Sequence, residues 1–368
     1  LLVTLDYPPP PGGIQTIVRS LERGLADLGH EPEVLHLDTT AFDWRPTDLL
    51  PRPRWLYGTR SVTARDFVYL NAVYRRTAAA IERFDPDVVH AMHVKDWPAL
   101  VAANERGLPS ALSTYALELG NEPLAARAIR DANVVHALTE FTASLVRSVA
   151  DGDPAIEIIP PSIDVGEYRR AVDDVQADGE TDSGRAGADP TPVVTMARFV
   201  DRKNIETVVE AWTRLDETVR DGRELVVAGD GPNRRSLESL AAGCDDVQFT
   251  GWVNGVAKRR LLAEADAFAM VPRRDGYDVE GFGIVYIEAQ ASATPVVGSK
   301  HGGAPEAIDD AGVVVDDEND SAEVAAAIES VLTDETTRRR CLSAAAERID
   351  EFDIEPVARR HVAMYEQI

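Results

Sequence analysis

Lysine, cysteine and long apolar runs are scarce in this chain of 368 residues, and each scarcity excludes a class of protein. Two cysteines, Cys244 and Cys341, cannot form a disulfide framework or a ligand cluster, which favours a reducing cytoplasm. No apolar run reaches the roughly 18 residues that a transmembrane helix needs. The sequence therefore predicts a cytoplasmic protein without a membrane span.

Positive charge is scarce as well. The chain has 38 Lys and Arg residues against 63 Asp and Glu residues, a formal net charge of -25, and only four of the cations are lysines. This balance disfavours sequence-independent binding of nucleic acid. Repulsion among so many carboxylates is screened by salt, because the Debye length falls to roughly 3 Å at 1 M. We therefore expect a halophilic protein in a salt-rich cytoplasm.

Glycine-rich loops are present, but the G-x-G-x-x-G and G-x-x-x-x-G-K-[ST] spacings are absent. Their absence argues against a nicotinamide-dependent oxidoreductase and against a P-loop. Gly12 and Gly13 instead follow a run of prolines and precede a helical pattern at 14–28. A helix start behind two glycines suits an anion, although a diglycine after a strand is about as often a plain turn.

Short apolar runs alternate with stretches of helical period along the chain, which predicts an α/β fold with parallel sheets. The predicted strands are 1–5, 34–37, 88–92, 111–114, 134–138, 156–159, 193–196, 225–228, 247–250, 267–271, 295–297 and 313–315. They form two doubly wound halves, at 1–165 and 192–350. Residues 166–191 are acidic and rich in glycine, so we predict a linker or mobile loop there.

The segment MARFVDRKN places two cations after the strand at 193–196. Arg198 lies at the strand end and Lys203 at a helix start, where both can reach one anion. Arginine offers a bidentate fork to phosphate, and lysine offers a compact charge. An ordinary solvated pair of cations fits this segment alone equally well.

The segment EGFGIVYIE places two carboxylates around a glycine-rich turn and a predicted helix start at about residue 284. Glu280 precedes the turn Gly281, Phe282 and Gly283, and Glu288 lies inside the helix. Free N–H groups at that helix start suit a pyrophosphate, and the carboxylates suit hydroxyls of a ribose and a hexose. The alternative is an ordinary helix with acids near its start, which the helix dipole stabilises.

Together with GGAPE at 302–306, these segments resemble glycosyltransferase family 4, also called glycosyl transferases group 1, across nearly the whole chain. The resemblance implies a GT-B fold, in which two Rossmann-like doubly wound parallel-sheet domains face each other across a cleft. Residues 1–165 would form the acceptor domain and 192–350 the domain that binds the donor nucleotide. Residues 351–368 resemble the family's final helix, which returns to the N-terminal domain.

The resemblance also implies roles for single residues. In the family, an arginine and a lysine hold the donor diphosphate, a first glutamate contacts the donor sugar, and a second glutamate binds the ribose. The N-terminal diglycine loop approaches the phosphates. These roles predict Arg198, Lys203 and Glu280 as catalytic residues, and they predict donor binding by the same three with Gly12, Gly13, Gly281, Phe282, Gly283 and Glu288.

The chain departs from the family pattern on the acceptor side. The family commonly has His-Gly after the fourth strand, whereas this chain has Tyr115 there, and a phenol is no cation at neutral pH. His93 lies near the family's strand-end histidine with a shifted spacing. We predict Tyr115 and His93 as acceptor-side residues, and a packed or hydrogen-bonded role, rather than a metal pair, is expected for both His90 and His93.

The predicted reaction is transfer of a hexose from a nucleoside diphosphate sugar to a glycan or lipid-linked acceptor, with retention of configuration implied by the resemblance. No cofactor and no metal site is predicted, because the D-x-D triplets at 85–87 and 151–153 both precede strands. Two alternatives stay open: a GT-B nucleotide-sugar epimerase, and a non-catalytic homologue that binds the nucleotide sugar without turnover.

Residues 52–76 form a basic and aromatic patch, with six arginines and one acid in an otherwise acidic chain. Arginines interleaved with aromatic residues suit a bilayer surface and a lipid-phosphate acceptor. An exposed helix face beside ordinary core aromatics is the alternative. The patch predicts peripheral contact with the inner face of the cell membrane.

Overall fold

The computed structural model describes residues 1–8, 12–37, 64–181 and 190–368, without the side chains of 64–68 and 179–181. The chain divides into two compact units. Unit 1 comprises Leu1–Ser162 and Ile354–Ile368, and unit 2 comprises Ile163–Asp353.

Unit 1 contains a parallel sheet with strand order β2-β1-β3-β4-β5-β6. Its strands are β1 (Leu2–Thr4), β2 (Val34–His36), β3 (Val89–Ala91), β4 (Ser110–Thr114), β5 (Val134–Ala137) and β6 (Ile156–Ile158). Its helices are α1 (Gly13–Asp27), α2 (Ala64–Phe84), α3 (Pro98–Asn104), α4 (Glu122–Asp131), α5 (Glu140–Val149) and α15 (Ile354–Tyr365). β1, β3, β4 and β5 are buried along their whole length, as continuous apolar strands of parallel sheets are.

Unit 2 contains a second parallel sheet, with strand order β12-β11-β10-β7-β8-β9. Its strands are β7 (Thr191–Met196), β8 (Arg223–Ala228), β9 (Val247–Gly251), β10 (Ala267–Ala269), β11 (Val296–Ser299) and β12 (Gly312–Val315). Its helices are α6 (Val165–Thr181), α7 (Ile205–Arg214), α8 (Glu217–Arg220), α9 (Arg234–Leu240), α10 (Gly255–Ala263), α11 (Ile284–Ala291), α12 (Ala304–Ile308), α13 (Ser321–Thr333) and α14 (Glu335–Arg348).

The predicted doubly wound α/β architecture is confirmed in each unit. Every predicted strand coincides with a described strand, and the bounds differ by at most two residues. The apolar faces of β7, β8 and β10 meet α7 and α13 in one core that includes the fully buried Trp212. Alternation of apolar strands and amphipathic helices therefore specified both sheets.

The prediction of a linker at 166–191 was wrong over its first part, because residues 165–181 form helix α6. Val165 and Tyr168 are buried, and Val172 and Val175 continue the same face at heptad spacing. α6 packs against α10 and α11 through this face. The acidic composition concealed an amphipathic helix, and residues 182–189 lie outside the described part of the chain.

The last helix of the chain belongs to unit 1. α15 packs on α1 at Gly24, where an added Cβ would lie 2.6 Å from the Ala358 Cβ and 2.9 Å from the Ile354 Cγ2. Val357 and Met364 on α15 also join a core cluster with residues of β4 and β5. The close contact at Gly24 fixes α15 against α1.

Buried histidines link α15 to the sheet of unit 1. The Ser113 Oγ lies 2.9 Å from His90 Nε2 and 2.8 Å from His136 Nδ1. His90 Nδ1 lies 2.8 Å from the Tyr365 hydroxyl, and the His361 ring lies 4.8 Å from the His136 ring. His90 is thus hydrogen-bonded in the core, as the sequence indicated.

Burial keeps these histidines neutral. It lowers the pKa of His136 to about 4, against a smaller opposing effect of the Ile159 carbonyl. Burial, together with the nearby His136, lowers the pKa of His361 to about 3 and that of His90 well below its usual value. The cluster is therefore a set of neutral hydrogen-bonding groups at pH 7.

The basic and aromatic patch falls only partly within the described residues, since 52–63 lie outside them. Tyr69 donates to Asp96 Oδ1 at 2.9 Å, and Tyr74 donates to Glu105, so these two aromatic residues bond within unit 1. Arg75 is exposed. Among the described helices, none has both the length and the apolar character needed to cross a membrane.

Candidate functional site

In unit 2 the strand order reverses between β7 and β10. Ligands of open parallel sheets bind beyond the carboxyl ends of the strands at such a reversal. The loop after β7 carries Arg198 and Lys203, and the loop after β10 carries Glu280. Three residues predicted from sequence therefore follow the two strands that flank this position.

The loop after β7 is fixed by buried contacts beneath an exposed arginine. Phe199 is fully buried, and its N–H donates to the Asp230 carbonyl at 2.9 Å. Asn204 is also fully buried and donates from its amide to the carbonyls of Val271, at 3.0 Å, and Glu318, at 2.6 Å. These contacts hold the backbone directly after Arg198 and directly after Lys203.

Glu280 binds two cations through one of its oxygens. Its Oε2 accepts from Arg202 Nη1 at 2.8 Å and from Lys203 Nζ. Arg202 Nε also contacts Asp278 Oδ1 at 2.7 Å. The side chains of Lys203 and Glu280 are only 15% and 14% exposed, so solvent screens this ion pair weakly. Glu280 Oε1 has no hydrogen-bond partner among the described residues.

The ionisation of this cluster follows from burial and charge. Burial alone would raise the pKa of Glu280, but Lys203 and Arg202 outweigh it and lower that pKa to about 2. Burial also lowers the pKa of Lys203, although Glu280 opposes this effect, and Arg198 adds a smaller lowering. Glu280 is therefore a carboxylate at neutral pH, beside the two cations Arg202 and Lys203.

The start of α11 lies directly after this cluster. Gly283 has φ +91°, and an added Cβ would lie 2.6 Å from the Tyr286 ring, so the turn requires glycine. No described side chain caps α11, which leaves its first N–H groups available to an anion. Gly303 of the GGAPE segment donates to the Glu280 carbonyl at 2.8 Å and supports the turn.

Phe282 and Gly281 complete the turn. Phe282 is 3% exposed, and its ring centroid lies 5.9 Å from that of Phe352. Phe282 is therefore placed to anchor the loop in the core, and its predicted contact with a donor stays a prediction. Gly281 is half-buried beside it.

Glu288 lies inside α11 and is 5% exposed. Its Oε1 accepts from the Tyr168 hydroxyl at 2.7 Å and from Lys258 Nζ. Burial and the adjacent Glu288 raise the pKa of Tyr168, which therefore stays an O–H donor. Arg202, Tyr168 and Lys258 were not predicted from the sequence. The one available signal was that Lys258 is one of four lysines in the chain.

The remaining predicted residues belong to unit 1. Gly12 precedes α1, and Gly13 is its first residue. His93 follows β3 and Tyr115 follows β4, and their ring centroids are 6.3 Å apart. Gly12 and Gly13 thus follow β1, so all four residues come after neighbouring strands of the sheet.

His93 and Tyr115 are both uncharged at neutral pH. Burial, and to a smaller extent Lys95, lowers the pKa of His93 to about 4. Burial raises the pKa of Tyr115 above its usual value. The Tyr115 hydroxyl is buried, and no described residue meets it with hydrogen-bond geometry. Asp96, also buried, has one oxygen without a partner among the described residues, and burial raises its pKa.

No group of three or more potential metal ligands occurs among the residues with described side chains. The triplets at 85–87 and 151–153 lie in turns before β3 and before β6. The prediction of a reaction without metal or cofactor stays a prediction.

Two family models match the chain. Residues 180–348 match the glycosyl transferases group 1, and residues 11–167 match Glycosyltransferase Family 4. A GDP-mannose-dependent alpha-(1-6)-phosphatidylinositol monomannoside mannosyltransferase of Mycobacterium tuberculosis is 33% identical over 340 residues, which are 86% of this chain and 84% of that protein. A glycogen synthase of the same organism is 28% identical over 99% of this chain and 94% of its own length.

Solved structures share the fold. The Anabaena protein HepE in complex with UDP and glucose has a TM-score of 0.72 and 16% identity, and the match covers 100% of this chain and 99% of that one. At this identity the likeness concerns the fold alone.

Proposed function

Because the chain belongs to the glycosyl transferases group 1 and is a GT-B glycosyltransferase, we propose that it transfers mannose from GDP-mannose to a phosphatidylinositol-type lipid acceptor. The donor and the acceptor are those named for the mycobacterial relative. The supporting observation in this chain is the pairing of Arg202 and Lys203 with Glu280, beside the uncapped start of α11.

In the proposed reaction the cations meet the charge of the leaving diphosphate. Arg198, Arg202 and Lys203 lie within one loop, opposed by the carboxylates of Glu280 and Asp278. Preorganised cations and helix N–H groups stabilise a charge that develops in the transition state. This set supplies the positive charge for a departing diphosphate from the chain's own residues.

Glu280 is proposed to bind the donor sugar. Its pKa of about 2 keeps it an acceptor of hydrogen bonds from hydroxyl groups. Oε2 is held by Arg202 and Lys203, which leaves Oε1 for the hexose. Retention of configuration is part of the proposal, and the resemblance to the family supports it. Tyr115 and His93, which are neutral, are proposed to contact the acceptor side.

The proposal is tested by transfer assays in molar KCl with GDP-mannose, UDP-glucose and ADP-glucose, and with phosphatidylinositol mannoside or glucan as acceptor. We expect mannosyl transfer to the lipid with net retention of the anomeric configuration, and a loss of at least a hundredfold in Arg198→Gln and Lys203→Met. Arg339→Gln, a change at an arginine whose side chain is 73% exposed, is the matched control and should leave transfer unchanged.

Each alternative has its own outcome. Glucosyl transfer to glucan would replace the mannosyl assignment with a synthase activity like that of the second relative. Epimer or free sugar formed without acceptor would identify an epimerase. Binding of the nucleotide sugar without turnover would identify a non-catalytic homologue. Unchanged transfer in Lys203→Met would overturn the role of the cation cluster.

We also propose that the protein works in the cytoplasm as a peripheral enzyme of the inner membrane face. A lipid acceptor of the phosphatidylinositol type would place the reaction at a bilayer surface. The arginines at 52–76 are the candidate contact with anionic lipid.

A further inference from the structure

Glu288 receives two hydrogen-bond donors on the same oxygen. Tyr168 and Lys258 both contact Oε1, whereas Oε2 has no hydrogen-bond partner among the described residues. Oε2 is not among the buried side-chain atoms that lack a partner, so it reaches the surface, where a ligand can contact it. Oε1 of Glu288 is therefore bound by Tyr168 and Lys258, and Oε2 is available to a ligand.

We propose that Tyr168 and Lys258 are positioning residues of the donor site, which hold Glu288 by Oε1 so that Oε2 accepts hydrogen bonds from the ribose of the donor nucleotide. This inference rests on the proposed function and assigns it two further residues. Tyr168 and Lys258 do not contact the donor themselves, and they act through Glu288.

Glu288 needs such partners because of its surroundings. Residues 286–291 of α11 are all buried, so an isolated carboxylate there would lose its hydration without compensation. The Lys258 ammonium supplies an opposite charge, and the Tyr168 hydroxyl supplies a second donor. Each oxygen of an ionised carboxylate can accept more than one hydrogen bond, so Oε2 alone can accept from two adjacent ribose hydroxyls.

The positions of the two donors are set by helix packing. Tyr168 lies on α6 and Lys258 on α10, and both helices pack against α11. The neighbouring residues Arg259 and Glu167 form an ion pair of 2.8 Å that joins α10 to α6. The hydrogen bonds that hold Glu288 therefore depend on α6, whose residues were predicted from composition to form a linker.

The test compares ribose recognition in wild-type protein and in Lys258→Met, Tyr168→Phe and Lys258→Arg. GDP, UDP and ADP are titrated, and the diphosphate that binds most tightly is compared with its 2′,3′-dideoxy analogue. We expect wild-type protein to prefer the ribose form about tenfold to a hundredfold, since hydrogen bonds to a charged group are strong. Lys258→Met should remove most of this preference, while the affinity for the dideoxy analogue stays unchanged.

Steady-state kinetics add a second readout. We expect Lys258→Met and Tyr168→Phe to raise the donor KM with little change in kcat, and Lys258→Arg to recover part of the loss. Lys300→Met, at a lysine whose side chain is 49% exposed, is the matched control. Melting temperatures show that each variant is folded.

Two results would overturn the inference in different ways. If Lys258→Met weakens the ribose and dideoxy forms equally, Lys258 does not act through ribose binding, although the proposed function stands. If wild-type protein binds none of the three diphosphates, the proposed function fails and this inference fails with it.

Discussion

The buried histidines of unit 1 predict a loss of stability on acidification that begins near pH 6.5. The folded pKa values of His136 and His361, about 4 and about 3, lie below the unfolded value of 6.5. A depressed pKa means that the unfolded chain binds protons first as the pH falls. The contribution of each histidine is therefore complete above pH 6.5 and is lost as the pH falls towards its folded pKa.

The size of the loss in unfolding free energy depends on how many buried histidines stay neutral. One histidine that stays neutral in the folded state loses about 1.4 kcal/mol per pH unit below 6.5, or about 2 kcal/mol by pH 5. His136 and His361 together therefore lose about 4 kcal/mol by pH 5, and the lowered pKa of His90 acts in the same direction. Total stabilities of domains are about 5–15 kcal/mol, so this loss is a large part of the stability of unit 1.

The assay is urea unfolding followed by circular dichroism at constant molar KCl, at pH 7.5, 6.5, 5.5 and 5.0. His361→Leu removes one titrating group and a ring nitrogen that has no partner among the described residues. We expect the stability of wild-type protein to fall relative to this variant by about 2 kcal/mol between pH 6.5 and 5.0. Met364→Leu, at a buried neighbour on α15, should show a constant difference. A constant difference for His361→Leu as well would refute the reasoning.

Three further outcomes are expected. Glu280→Gln should lower the free energy of unfolding by about 3 kcal/mol at pH 7, because it leaves buried Lys203 without its carboxylate. In urea titrations the difference between the wild-type protein and this variant should vanish as the pH falls from 4.5 towards 2. A difference that is the same at all pH values would contradict the prediction. Tyr115→Phe should keep the melting temperature but reduce transfer at least tenfold, and full activity would remove Tyr115 from the acceptor side. Molar KCl should raise the melting temperature of this chain, whose net charge is -25, and no gain would refute a halophilic adaptation.

Much of the fold was predictable because its signals are local. Apolar runs such as those of β5 and β11 are bounded by polar turns, and the intervening helices have their own period. Sequence position also predicted Arg198, Lys203, Glu280 and Glu288 as site residues. Strand ends and helix starts of parallel sheets collect ligand-binding residues, and these four side chains lie at or near such positions.

Other features depend on contacts that no local pattern contains. Tyr168 meets Glu288 across 120 positions of sequence, and Lys258 has no motif around it. α6 was missed because its heptad of Val165, Tyr168, Val172 and Val175 is diluted by acids, so composition outweighed periodicity. Arg202 was not predicted as a site residue, because only the structure shows that it shares one oxygen of Glu280 with Lys203.

The placement of α15 in unit 1 bears on how the chain matures on the ribosome. Leu1–Ser162 emerges before Ile163–Asp353, yet the helix that packs on its α1 is encoded after both segments. At roughly 5–20 residues per second, translation of the intervening segment takes on the order of ten to forty seconds. During that interval Leu1–Ser162 exposes the apolar surface that Val357 and Met364 later cover, and exposed surface of this kind favours aggregation until α15 has been made.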